Sequence, residues 1–259
     1  MNRSMSAQDT FGCALAELWA RDGIVVDDSE ALAHRVATLC ASGDDGVKAA
    51  SELLTRSGVR ARWNETLRHD RAIALASRIR PLVAEPLLDV LAGDGSICHA
   101  LSALGVSAMA ATERCGDYET SLLPSHVAFR PFADDFDLSP FEASTALVSA
   151  VLHHEPDPVR LLCALAQAAI PRWIVVENCV TAAFSRPFHQ LADRFFNTCL
   201  NQFGIPCADQ HRTLNEWVDL LAGYGTVVVM EEDFVVPGIP FPYSLLVVDC
   251  DDRRAHQRC

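Results

Sequence analysis

The sequence predicts a doubly wound α/β fold, a mostly parallel sheet with an antiparallel last strand, preceded by a run of helices. Three observations carry that expectation. From Pro86 onward, short apolar β-rich runs alternate with helical stretches, the pattern of β-α-β units. One such strand runs into Gly93-Asp94-Gly95 and then a helix, an arrangement that lays a ligand against the amides of a helix N-terminus. The last two strand-like runs are joined by a Pro- and Gly-rich connection rather than a helix, so they are expected to pair antiparallel at the sheet edge.

Taken in order, 11–21, 31–41, 46–57 and 63–80 read as helices, with Asp27-Asp28-Ser29-Glu30 as a start signal and Gly23, Ser42-Gly43 and Ser57-Gly58 as punctuation. Strands are expected over 87–91, 108–111, 146–151, 173–176, 226–230 and 243–248, with helices over 96–104 and 158–169. Residues 182–222 read as mainly helical, interrupted by Gly204-Ile205-Pro206. The chain therefore divides into an N-terminal helical cap over 1–80, a nucleoside-binding α/β domain over 81–250 with a helical insertion at 182–213, and a flexible tail over 251–259.

Composition narrows the function classes. Half of the 259 residues are hydrophobic and 21% are charged, which suits a folded domain with an ordinary core. The net charge of −13 and the lack of clustered Lys and Arg argue against nucleic-acid partners and anionic membranes. No apolar run approaches the roughly 18 residues of a membrane span, and the first residues lack a signal-like apolar stretch, so a cytoplasmic location is expected. The ten cysteines are scattered through apolar contexts without a Cys-x-x-Cys pair, the pattern of reduced, mostly buried thiols rather than a zinc site.

Gly93 and Gly95 permit a tight turn and close approach of a ligand to the backbone. Glu113 ends the next strand, 20 residues beyond Gly93, where an acid can accept both ribose hydroxyls of a nucleoside. Asp89 precedes the turn and either braces it or reaches the ligand.

At this point the chain resembles the class I S-adenosylmethionine-dependent methyltransferases. Leu87–Val90 followed by Ala92-Gly93-Asp94-Gly95 looks like their first motif, and Glu113 like the acid after their second strand. Phe129-Arg130-Pro131-Phe132-Ala133-Asp134-Asp135 is similar to the third-strand motif. The segment 147–158, with Val151-Leu152-His153-His154-Glu155-Pro156, closely resembles the fourth-strand motif of the menaquinone- and ubiquinone-biosynthesis type. The resemblance implies a Rossmann-like methyltransferase sheet, with S-adenosylmethionine as cofactor. It further implies that Asp89 supports the loop and the methionine amino group. Leu91, Ala92, Gly93 and Gly95 would line the cofactor, Glu113 beside Arg114 would hold the ribose, and Asp134 and Asp135 would flank the adenine. Val151 and His153 would border the methionine arm. Leu91 stands where the family has its first glycine and brings bulk towards the methionine.

The acceptor is expected to be a small, apolar or aromatic metabolite, because the insertion carries Phe184, Phe188, Phe195, Phe196 and Phe203, although aromatics at helical spacing also serve as core. O-methylation is slightly favoured. It needs alignment and a base, for which His154, His189 and His211 are the candidates, with Glu177 as an orienting acid. Arg71 is placed to meet the methionine carboxylate or a solvated helix face. No metal is expected at His153-His154, since neighbours on an extended chain point to opposite faces. A homodimer is compatible with the sequence. Two other readings stay open: non-methylating chemistry on the same fold, and a catalytically idle scaffold or regulatory subunit.

Overall fold

The computed structural model describes residues 5–24, 28–114, 122–131, 137–201, 209–251 and 259. Its N-terminal part is a stack of helices: α1 (Ala7–Arg21), α2 (Ser29–Ala41), α3 (Gly43–Arg56), α4 (Val59–Arg62) and α5 (Arg68–Ile79). The Ser6 hydroxyl caps α1 by accepting the Asp9 amide at 3.1 Å, and the Asp28 carboxylate does the same for Ala31 at the start of α2. The one helix expected over 63–80 is interrupted at its start, where Trp63–Leu67 form a π-helical turn. From that turn the Trp63 indole N–H donates to Asn201 Oδ1 at 2.6 Å.

Among the described residues seven strands follow: β1 (Leu87–Asp89), β2 (Met109–Glu113), β3 (Ala128–Pro131), β4 (Thr145–Ser149), β5 (Arg172–Asn178), β6 (Gly225–Phe234) and β7 (Tyr243–Cys250). They form one sheet in the order β3-β2-β1-β4-β5-β7-β6. All pairs are parallel except those of β7, which runs antiparallel to both β5 and β6. The expected doubly wound sheet with an antiparallel last strand is therefore what forms. The strand order reverses between β1 and β4, which leaves a crevice at their carboxyl ends.

Side chains alternate between two cores, as a sheet covered on both faces requires. Leu87, Leu147 and Ile174 face one core, shared with the N-terminal helices and α6 (Ser96–Ala103). Leu88, Val148, Trp173 and Val175 face the other, closed by α7 (Pro158–Gln167) and α9 (Leu214–Leu221). The insertion after β5 builds α8 (Arg186–Asp193) and a second π-helical stretch, Arg194–Leu200.

Several expectations need correction. β1 stops at Asp89 rather than 91 because Leu91 is left-handed, φ 56°, and β4 stops at Ser149 rather than 151 because Ala150 has φ 55°. The thiols are not all reduced: Cys163 and Cys259 form a disulfide. Their Cα atoms lie 5.4 Å apart although 96 residues separate them, a proximity no local spacing reveals. Cys259 is thereby tied to α7, whereas 252–258 of the expected flexible tail lie outside the described residues. No described helix is long and apolar enough to cross a membrane.

Candidate active site

The crevice at the ends of β1 and β4 opens into a cavity with two unlike walls. The first is the loop after β1, where Leu91, Ala92, Gly93 and Asp94 line the space. Its shape is fixed from β2: the Leu91 amide donates to Thr112 Oγ1 at 3.1 Å, the Ala92 amide to Thr112 O at 2.9 Å and the Gly93 amide to Glu113 Oε2 at 2.8 Å. Gly95 has φ 78° and caps α6; a Cβ there would stand 2.6 Å from Leu123 Cγ, so the position admits only glycine without rearrangement.

Asp89 lies buried beneath this loop, not on the cavity wall. Cys98 Sγ donates to Asp89 Oδ2 at 3.2 Å, and burial pushes the carboxyl up to about 7. Glu113 is also buried, its other oxygen accepting the Arg114 amide at 2.7 Å, and the Arg114 guanidinium pairs with Glu155 at 2.5 Å. Asp134 and Asp135 lie outside the described residues. From α5, Arg68 reaches Asp94 at 3.3 Å and Arg71 reaches the Tyr243 hydroxyl at 3.2 Å, and both line the cavity. Arg71 Nε is buried without a hydrogen-bond partner.

The second wall is a stack of imidazoles. After Ala150 the chain makes a 3-10 turn, Leu152–His154, so His153 and His154 do not diverge as on a strand; their rings lie 4.0 Å apart. His211 stacks on His153 at 4.9 Å and His189 on His211 at 5.1 Å. Glu177, wholly buried at the end of β5, accepts the amides of Val151 and Leu152 at 3.0 and 2.7 Å and the Nδ1 proton of His153 at 2.5 Å. Asp193, from the end of α8, faces His153 Nε2 at 3.5 Å and His211 Nε2 at 3.0 Å. Burial alone would lower His153, but the carboxylates of Glu177 and Asp193 on either side raise it well above the usual imidazole range. Burial works against ionised Asp193, yet the facing imidazoles hold its carboxyl far below the ordinary range. His189, buried and donating to Cys179 O at 3.1 Å, is pushed down to about 3 by burial and by His211.

His153 and His154 therefore line the cavity, whereas His189, His211 and Val151 stand behind it. Lining residues the sequence did not single out include Arg68, Asp94, Asn178, Asp193, Asn197 and Asn201. For Asp193 a weak signal exists, its i, i+4 spacing from His189 in a Phe-rich helix, which puts an acid and an imidazole on one face. The Phe-rich insertion divides: Phe188 and Phe195 pack edge-on against Phe11 in the core, while Phe196 lines the cavity beside Phe241 and Trp63.

No protein-family model matches the sequence, and no curated protein matches it either. Among solved structures, the mitomycin 7-O-methyltransferase MmcR superposes with a TM-score of 0.50 at 20% identity, covering 94% of this chain and 69% of that one. The pyocyanin biosynthetic protein PhzM gives 0.50 at 19% identity, covering 96% and 74%. The YcgJ protein from Bacillus subtilis gives 0.51 at 12% identity over 70% of this chain and 98% of its own. The first two coverages exceed what 81–250 alone amounts to, so the N-terminal helices take part in those matches. The fold is the Rossmann-like sheet shared with these structures.

Proposed function

We propose that the protein is an S-adenosylmethionine-dependent methyltransferase acting on a small, apolar or aromatic metabolite, with a hydroxyl the favoured acceptor. The observation that carries this reading is that the glycine loop and the His153-His154 turn are two walls of one cavity at the sheet's switch point. The residues present fit the cofactor. Arg71 Nε, buried and without a partner on the wall, matches a carboxylate. Leu91, Ala92, Gly93 and Gly95 would shape the surface against the methionine and nucleoside. Asp89 would act on the amino group through the loop, Glu113 with Arg114 would serve the ribose, Asp134 and Asp135 the adenine, and Val151 and His153 would border the methionine arm. When bound, S-adenosylmethionine supplies the methyl carbon on a sulfonium.

The acceptor enters against Phe196, Phe241 and Trp63, an apolar surface suited to an aromatic ring. His154, on the wall, takes the hydroxyl proton; His189 and His211 support from behind. The related fold of the mitomycin 7-O-methyltransferase and of PhzM supports a natural-product acceptor, and the net charge of −13 supports one that is neither nucleic acid nor membrane lipid. A cytoplasmic enzyme, single or as a homodimer, completes the reading; light scattering reads the second point. Calorimetric titration with S-adenosylhomocysteine tests the whole. Micromolar binding with transfer of labelled methyl to a phenol panel is expected, and no binding overturns it in favour of an idle scaffold. Binding without transfer favours other chemistry on the same fold, for which Leu91 in the loop is the motivating residue.

A further inference from the structure

We infer that His153, Asp193 and His211 form a binding site for one divalent first-row transition ion, zinc or a congener, whose open coordination position faces the cavity and takes the acceptor's oxygen. Each of the three residues offers a ligand atom, and these atoms lie within 4.8 Å of one another. Ligands held by one tetrahedral ion at its usual bond lengths stand about 3.3 Å apart. Asp193 turns one carboxylate oxygen to each imidazole, Oδ1 at 3.5 Å from His153 Nε2 and Oδ2 at 3.0 Å from His211 Nε2, separations on either side of that value.

Two further observations separate a metal site from a polar cluster. His211 Nε2 and Asp193 Oδ2 are both buried and stand 3.0 Å apart, yet they are not aligned as a hydrogen bond. Such groups repel water-free burial unless something sits between them. Moreover, each imidazole has its far nitrogen engaged: His153 Nδ1 by Glu177 Oε2 at 2.5 Å, His211 Nδ1 by Asn178 Oδ1 at 3.2 Å. Those acceptors hold the Nδ1 protons and direct both Nε2 atoms towards Asp193, so that an ion bound there would take the place of the Nε2 proton that Glu177 and Asp193 otherwise keep on His153, the outer arrangement that metal-ligating histidines require. Side chains diverging on a strand would keep His153 and His154 from sharing a metal, but the 3-10 turn ends the strand geometry and the second imidazole comes from His211 instead.

Two imidazoles and one carboxylate with an open position select first-row divalent ions. Because His153, Asp193 and Asn178 line the cavity, the open position looks onto the acceptor space. This role rests on the proposed methyl transfer. An acceptor hydroxyl bound there loses its proton to the His154 side, the oxygen forms the new O–CH3 bond, the S–CH3 bond breaks, and the sulfonium becomes a neutral thioether.

The test uses the full chain stripped with a chelator, then titrated with Co2+ and Zn2+. One ion per chain at micromolar affinity is expected, with a visible Co2+ band that zinc displaces and that shifts on adding a catechol or phenol. Asp193→Asn and His211→Gln should each weaken binding at least about 100-fold. Absence of stoichiometric binding by the folded wild-type chain overturns the inference without recourse to variants, and so does binding untouched by both substitutions. S-adenosylhomocysteine titrated in parallel keeps the two readings apart. Cobalt binding without homocysteine-derivative binding removes the methyl donor and leaves the metal site standing; the converse removes the metal site alone.

Discussion

At the β1–β2 end of the cavity the wall is made by backbone, three successive amides fastened to Thr112 and Glu113; at the β4–β5 end it is made by buried titratable side chains. The first is shaped by backbone conformation, with positive φ at Leu91, Gly93 and Gly95, and the second by side chains, where each group satisfies or charges another. Recognition and chemistry are thus separable, and substitutions on one side should leave the other measurable.

The largest effect is expected from Asp193→Asn, which should lower methyl transfer at least about 100-fold while S-adenosylhomocysteine affinity stays within about threefold. Equal losses in both, read by calorimetry and labelled-methyl transfer, would break the separation. Next comes Gly95→Ala on the backbone side: the left-handed φ and the contact with Leu123 should cost about 2 kcal/mol in urea unfolding and roughly tenfold in homocysteine-derivative affinity.

Asp89 offers a pH test. Burial holds its carboxyl at about 7 in the folded chain against an ordinary value of 3.8, so the folded state keeps a proton that the unfolded chain releases. The associated stability is complete below the lower value and lost as pH rises through the upper one. Asp89→Asn should therefore melt several degrees, roughly 4 °C or more, above wild type at pH 8, with the gap closing below about pH 4. A gap constant with pH would refute the buried-acid assignment.

The smallest effect is expected at Leu91. A left-handed leucine stores about 1 kcal/mol, which the backbone entropy of glycine nearly offsets, so Leu91→Gly should leave stability within about 1 kcal/mol. The opened space should improve S-adenosylhomocysteine binding about threefold; weaker binding would show that the leucine side chain packs against the cofactor instead.

The same contrast explains what was legible in the sequence. Gly93, Gly95 and Glu113 announce themselves because strand, turn, helix and strand fix their separation locally. The imidazole wall is assembled from β4, the end of β5, α8 and the segment before α9, and only a tertiary fold brings Asp193 to His153, 40 residues away in the chain. His189 looked like a base candidate, but pattern gives no depth: it is wholly buried and off the cavity wall. The relation of His153 to His154 was misread for a single backbone angle, the positive φ at Ala150 that ends the strand early.

Arg60 is bonded at once to the carbonyls of Cys199 and Leu200 in the insertion and of Ser51 in α3, and Arg194 reaches back to the Cys40 carbonyl. Anyone exchanging acceptor preference by grafting would therefore have to transplant the N-terminal helices together with the insertion, because either piece alone would arrive with severed guanidinium ties and an exposed, mismatched seam.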